Sequence, residues 1–215
     1  MIKYRRILFF CFVSYFAVCL SANASSIRQL GMNDMLATAE LVFEGQVTNS
    51  EARWNDDKTL IQTFITFTVS EVISGDYAQD SLELSFVGGR VGIDAMQAEG
   101  SRHPKVGEKG IYFIESVSKQ LVNPLVGWSQ GHFLLKKDGS GDEYVMTDKN
   151  AHVMSIASES VSSNSRTLSS TSSLSRGVAR NVIVDKQPSS KGMSALKFKQ
   201  ELKQRRIKIN NKTKQ

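Results

Sequence analysis

A chain of 215 residues, 40% of them hydrophobic, has room for one domain with a sizeable core plus appended segments. Its formal charge of +6 is unevenly spread: residues 25–150 carry 11 basic and 18 acidic side chains, a net −7, while residues 151–215 carry 13 and 3, a net +10. An acidic body argues against a nucleic-acid-binding surface there, and the high isoelectric point belongs to the C-terminal segment.

The first 24 residues read as a secretory signal peptide. Lys3, Arg5 and Arg6 form a basic head, residues 7–20 an apolar run, and Ala22-Asn23-Ala24 a small-residue cleavage site. The competing reading is a membrane anchor, but the run is shorter than the roughly 20 residues a spanning helix needs. A lipoprotein anchored through Cys19 would want a small residue where Phe16-Ala17-Val18 stands. The expectation is an exported protein, periplasmic or extracellular, with no transmembrane segment after cleavage. Cys11 and Cys19, the only cysteines, lie in the segment to be removed. The remainder then has neither a disulfide nor a thiolate metal site, and its core alone must hold it together.

Residues 25–153 predict a mainly β domain. Asn33 can cap a short helix over residues 34–40, with Met35, Leu36 and Ala39 on its buried side. Residues 41–47 alternate, with Leu41, Phe43, Gly45 and Val47 inward and Val42, Glu44 and Gln46 on a wet face. Gly45 in the inward row predicts a bulge or a close backbone approach. Across a polar turn at Asn55-Asp56-Asp57-Lys58, the partner strand carries Ile61, Thr63, Ile65, Phe67 and Val69 on one face and ends at Gly75-Asp76. Further strands are predicted at residues 81–87, 111–117, 121–126, 132–137 and 143–146, the last two joined by a turn at Asp138-Gly139-Ser140-Gly141. Residues 93–109 read as loop. Short strands punctuated by turns, with no helical crossovers between them, point to a small antiparallel OB-like barrel or sandwich. Residues 154–192 are serine-rich and read as a disordered linker, although Val182-Ile183-Val184 is an apolar island able to add an edge strand. Residues 193–215 read as a basic helix and tail; the helix over 195–208 is capped by Ser194, with Leu196, Phe198, Leu202 and Ile207 among its apolar residues. It can dock on the acidic body, on a partner, or on an anionic membrane surface.

Candidate chemistry is sparse. Gly127-Trp128-Ser129-Gln130-Gly131 fits the G-x-S-x-G pattern, with His152 downstream, but a nucleophile elbow needs a helix after the serine and a strand is predicted here. Gly88-Gly89-Arg90-Val91-Gly92 offers backbone amides to an anion without Walker spacing. His103, His132 and His152 fit no ligand spacing, though a site with Asp94 or Glu99 could assemble in space. Asp56-Asp57 is turn chemistry rather than a calcium loop. No catalytic, metal or cofactor residue is assigned. Trp54, Arg90 and Trp128 are the candidates for partner contact.

Residues 39–47, the run Phe67-Thr68-Val69-Ser70-Glu71-Val72-Ile73-Ser74-Gly75-Asp76, the glycine-rich residues 88–92, Pro104-Lys105-Val106-Gly107-Glu108 and residues 127–133 together resemble a family of uncharacterised exported bacterial β-proteins over roughly residues 35–146. The hairpin also resembles the OB-type barrel of tissue inhibitors of metalloproteinases and netrin modules. That second resemblance implies only a barrel shape, because the inhibitory mechanism of that family depends on an N-terminal cysteine and disulfides. The expected function is an exported, non-catalytic β-domain that binds a protein or cell-envelope partner. A small hydrolase or metal-dependent enzyme, and a structural envelope component, are the alternatives.

Overall fold

The structure, a computed structural model, describes residues 27–158, 177–186 and 191–213. The predicted signal peptide lies outside the described residues, as does most of the serine-rich stretch. In chain order the elements are helix α1 (Met32–Thr38), strands β1 (Leu41–Trp54), β2 (Ile61–Ser74), β3 (Ser81–Val91), β4 (Asp94–Gln97) and β5 (Lys109–Ile114), a 3-10 turn (Trp128–Gly131), then β6 (His132–Lys137), β7 (Glu143–Thr147), β8 (His152–Ile156), β9 (Val182–Asp185) and helix α2 (Ala195–Thr213).

The nine strands described form one antiparallel sheet in the order β4-β3-β2-β1-β5-β6-β7-β8-β9. That order ends on two different strands, so the sheet is open, and the expected closed OB-like barrel is not what the pairing gives. Nor are there two packed sheets; one face of the single sheet is covered by helices instead.

The β1–β2 hairpin is the organising element, as its alternation predicts, but β1 runs on past the expected residue 47 to Trp54. Its ladder shifts register between Val42 and Phe43, between Glu44 and Gly45, and between Val47 and Asn49. The shift at Gly45 has a local cause. A Cβ there would lie 2.5 Å from the Thr68 carbonyl oxygen and 2.7 Å from the Phe43 ring. Gly45→Ala is therefore expected to destabilise the protein by about 1–3 kcal/mol through overpacking, read as a lower urea midpoint at unchanged slope.

Alternation along the central strands feeds two cores. Leu41, Phe43, Phe67, Phe86, Tyr112 and Ile114 pack on one face. Val42, Ile111, Phe113, Phe133, Val145 and Val153 pack on the other, beneath Met32, Met35 and Leu36 of α1 and Phe198 and Leu202 of α2. The face expected to be wet at Val42 and Glu44 is thus buried. The reason is α2, whose buried residues Ala195, Phe198, Leu202 and Arg205 recur at three- and four-residue steps and form one stripe. Leu196 and Ile207, expected among its apolar residues, are exposed.

Glu44 tolerates burial because two ammonium groups meet it: Lys199 Nζ at 2.5 Å and Lys109 Nζ at 2.8 Å. Lys199 also reaches Glu71 at 2.6 Å, and Lys203 reaches the same carboxylate at 2.7 Å. Burial works against the charge on Glu44, but its lysine partners prevail and hold its carboxyl below the ordinary range. Arg205 donates to the carbonyls of Ile156 and Ala157 and to Asn33 Oδ1. The basic C-terminal helix is docked on the acidic body of its own chain, by an apolar stripe flanked by ion pairs. Among the described residues no helix is long and apolar enough to cross a membrane.

Three further differences from the sequence reading have physical causes. The stretch read as linker supplies the end of β8 and all of β9, because the Val182 island pairs with Ile156. Residues 121–126 form no strand; Leu125 makes a single bridge to Ile114. Residues 93–109, read as loop, begin with β4, which pairs with the Gly88–Val91 end of β3.

Candidate binding cleft

The β3–β4 hairpin and the chain that returns from it build an open cleft of about 650 Å3, lined among others by Arg90, Met96, Gln97, Arg102, His103 and Lys105. Its shape begins with two glycines. Gly88 and Gly89 have φ of +105° and +136°, a region that side-chain-bearing residues avoid. A Cβ on Gly89 would meet Thr63 Oγ1 at 2.4 Å and Ala52 Cβ at 2.9 Å, so glycine lets β3 lie against the β1–β2 hairpin and then turn. Ile93, at the tip of the β3–β4 turn, is 94% exposed.

Residues 98–108 close the other side. Ser101 Oγ accepts a hydrogen bond from Asn123 Nδ2 at 2.9 Å. His103 Nε2 lies 3.1 Å from the Val87 carbonyl oxygen, with its ring against Phe86. Burial lowers the affinity of His103 for a proton. The Lys105–Glu108 turn is fixed to β1, with Gly107 N donating to Val47 O and Val47 N donating to Glu108 O.

Arg102 is the floor of the cleft and the roof of a buried polar row. Its Nη2 donates to Glu108 Oε1 at 2.6 Å and its Nη1 to the Asp148 carbonyl. Cross-strand pairing lines up Phe43, Tyr112 and His132. Because Phe133 pairs with Thr147, the next position of that ladder brings His132 beside Asp148. His132 stacks on Tyr112 at 4.9 Å between ring centroids and is 1% exposed. Its Nε2 stands 3.9 Å from Glu108 Oε2, yet burial pushes its pKa down to about 3, with Arg102 adding to the effect, so the pair is a contact and not an ion pair at neutral pH. Burial pushes the Asp148 carboxyl the other way, up to about 6, against the opposing charges of Arg102 and Lys149. Among the described residues, His132 Nε2 and Asp148 Oδ1 have no hydrogen-bond partner.

The cleft differs electrostatically from a second concavity, which lies between the β6–β7 hairpin and the start of α2. There Lys191 is answered by Asp138 at 2.6 Å and Lys199 by Glu44 and Glu71, and Asp138, Asp142 and Glu143 belong to the lining. In the β3–β4 cleft no lining residue is acidic, and among the described residues the side chains of Arg90 and Lys105 have no ion-pair partner.

Of the three residues expected to touch a partner, Arg90 is in the cleft. Trp128 is half-buried at the start of the 3-10 turn with φ of +58°, and a Cβ on Gly100 would lie 3.9 Å from its ring, so it packs at the root of the loop that closes the cleft. Trp54 is half-buried rather than exposed, paired with Ile61 at the end of the hairpin. Ser129 lies in the 3-10 turn that runs straight into β6, so no helix follows it. The space beside Ser129 Oγ is taken by Gly177 and Lys149. His152 stacks on Tyr144 at 5.0 Å, away from the other two histidines. Among the described residues no group of three or more His, Cys, Asp or Glu side chains is placed to hold a metal ion. Asn55 Oδ1 accepts from the amides of Thr59 and Leu60, which is the turn role read for the Asn55–Lys58 stretch.

The sequence reading missed Arg102, Lys105, Glu108 and Asp148 as parts of one site. Only the spacing Arg102-x-x-Lys105, in a segment of an otherwise acidic body, offered a signal. Comparison of the chain with protein-family profiles, with curated proteins and with solved structures returns no match.

Proposed function

We propose that the protein is an exported, non-catalytic β-domain that binds a protein or cell-envelope partner through the β3–β4 end of its sheet. One observation carries this reading: a concave surface holds two cations, Arg90 and Lys105, without ion-pair partners among the described residues, next to an isoleucine 94% exposed at a hairpin tip. Large exposed apolar side chains beside unpaired charge are what a recognition surface requires before its partner arrives. The buried row below has a supporting role in this reading, since Arg102 is held from beneath by Glu108 and the Asp148 carbonyl and so presents its remaining donors in a fixed position. Export rests on the N-terminal sequence, and the absence of cysteine from residues 25–215 suits a domain held by two apolar cores. The OB-like barrel belongs to the same proposal, supported by the register shifts of β1–β2, which are of the kind that bend and twist a hairpin.

The test immobilises the full-length chain and exposes it to envelope and culture-medium fractions of its own source, with Arg90→Glu/Lys105→Glu as the comparison. Deleting α2 is not a usable comparison, because its apolar stripe is part of the core. The expected result is a component retained by the wild type and reduced at least about tenfold on the double variant. A component retained equally by both would place recognition elsewhere, and would contradict the cleft as the binding surface.

A further inference from the structure

We infer that the partner segment seated in the β3–β4 cleft is an acidic stretch of polypeptide. The inference rests on the binding reading above and names the chemistry of its partner. Residues 25–150 hold 11 basic residues against 18 acidic ones. Against that background Arg90, Arg102 and Lys105 converge on a single cleft, with His103 between them and no acid in its lining. Carboxylates arriving there gain two cations without ion-pair partners among the described residues, Arg90 and Lys105, and a guanidinium already oriented by Glu108. Arg102 and Glu108 keep their pairing, so no charge is uncovered when the ligand docks.

Two features select a polypeptide over a flat anionic membrane. The cations line a concavity: Arg102 is held there by Glu108 and the Asp148 carbonyl, and the exposed Arg90 and Lys105 share its lining. A flat bilayer would also have to lie against the exposed acids that neighbour the lining in sequence, Asp94 and Glu99, whereas a narrow segment need only meet the cleft. Met96 in the lining and Ile93 on the rim add apolar contacts that a free inorganic anion would not use. His103 adds a pH dependence. Its lowered proton affinity keeps it neutral in the empty cleft, and nearby carboxylates would raise that affinity. The charged groups that share the cleft lining with it are Arg90, Arg102 and Lys105.

The experiment uses the full-length chain and a short fluorescent peptide in which glutamate alternates with valine, followed by anisotropy. The same peptide with glutamine for glutamate and vesicles rich in phosphatidylglycerol are the competing probes. The expected result is saturable binding of the glutamate peptide that weakens as salt rises and falls at least about tenfold in Arg90→Glu/Lys105→Glu. The matched control Lys119→Glu/Lys136→Glu, which reverses two exposed lysines outside the cleft, should leave binding unchanged. Equal binding of the glutamine peptide, equal loss in both double variants, or tighter and variant-sensitive binding to the vesicles would overturn the inference. In the retention experiment, a partner that needs Arg90 and Lys105 yet is not displaced by the glutamate peptide would overturn the acidic-segment inference while the binding reading stands. Loss of that cleft-dependent retention itself would remove both.

Discussion

Phe198→Ala is expected to destabilise the protein by about 3–5 kcal/mol, the cost of emptying a large aromatic site that the backbone cannot refill. Phe198 is fully buried, with its ring centroid 5.0 Å from that of Phe133 on the sheet. It sits in the centre of the stripe formed by Ala195, Leu202 and Arg205, so the loss falls on the helix–sheet contact and not on a helix end. A sequence-level view of a basic helix on an acidic body suggests that salt would release it. The structure predicts otherwise. Screening weakens the Lys199, Lys203, Glu44 and Glu71 network, but Phe198 and Leu202 stay buried and raised salt strengthens apolar association if anything. Urea unfolding should therefore show one transition for the wild type, with protection of α2 amides lost together with those of β7. A helix that exchanges freely while the sheet remains protected would contradict this docking.

The second large effect is in the pH dependence of stability. Asp148 titrates near 6 in the folded chain against an ordinary 3.8, and His132 near 3 against 6.5. Between about pH 4.5 and 6 the folded state therefore holds a proton on Asp148 and none on His132. The unfolded chain does the reverse. Each state binds one proton, so together these two groups give no slope in that window. Asp148→Asn removes the carboxyl and leaves His132. The unfolded state then binds one more proton than the folded one, and stability relative to wild type falls by about 1.4 kcal/mol for each pH unit of acidification. His132→Gln leaves Asp148 alone and gives the opposite slope relative to wild type. His103, also depressed by burial, contributes equally to all three proteins and cancels in the differences. Glu44 and Glu71, held low, act only at more acid pH, where their stabilisation is lost. Above pH 7 the Asp148→Asn protein gains on the order of 2–3 kcal/mol, since the wild type there carries an ionised carboxylate in a buried position. Urea midpoints of the three proteins across pH 4.5–8 read these slopes; parallel profiles would show that the two groups do not exchange proton affinity on folding.

Much of the fold could be read from residue alternation. The Leu41–Val47 and Ile61–Val69 rows, the Asn55 turn and the β6–β7 hairpin follow from period-two patterning and turn chemistry. What alternation could not carry was the second covering of the sheet. Val42 and Glu44 look like a wet face until α2, some 150 residues later, brings Phe198 and Lys199 onto them. The same limit hid β8, and left β9 as no more than an apolar island able to add an edge strand. Serine-rich composition describes the stretch as a whole, while pairing is decided by a few residues such as Val182 against Ile156. Of the cleft, Arg90 was legible as a contact residue, and Gly89 and His103 only as parts of other candidate sites. Arg102, Lys105 and Asp148 are ordinary charged residues in a linear reading. They gain meaning only when the Gly92-Ile93 turn folds β4 back along β3 and the Lys105–Glu108 turn fastens to Val47. Trp54 was legible as an aromatic at a hairpin tip, but not its partial burial, which depends on pairing with Ile61.

The central claim is that recognition occurs at the β3–β4 end. Placing a photoreactive phenylalanine analogue, one position at a time, at Ile93, Val106, Trp54, Leu196 and Ile207 in the full-length protein, and irradiating it with envelope and medium fractions, tests that claim most directly. The account predicts a discrete adduct from Ile93 that is lost when Arg90→Glu/Lys105→Glu is added. Adducts from Trp54, Leu196 or Ile207 with none from Ile93 would contradict it.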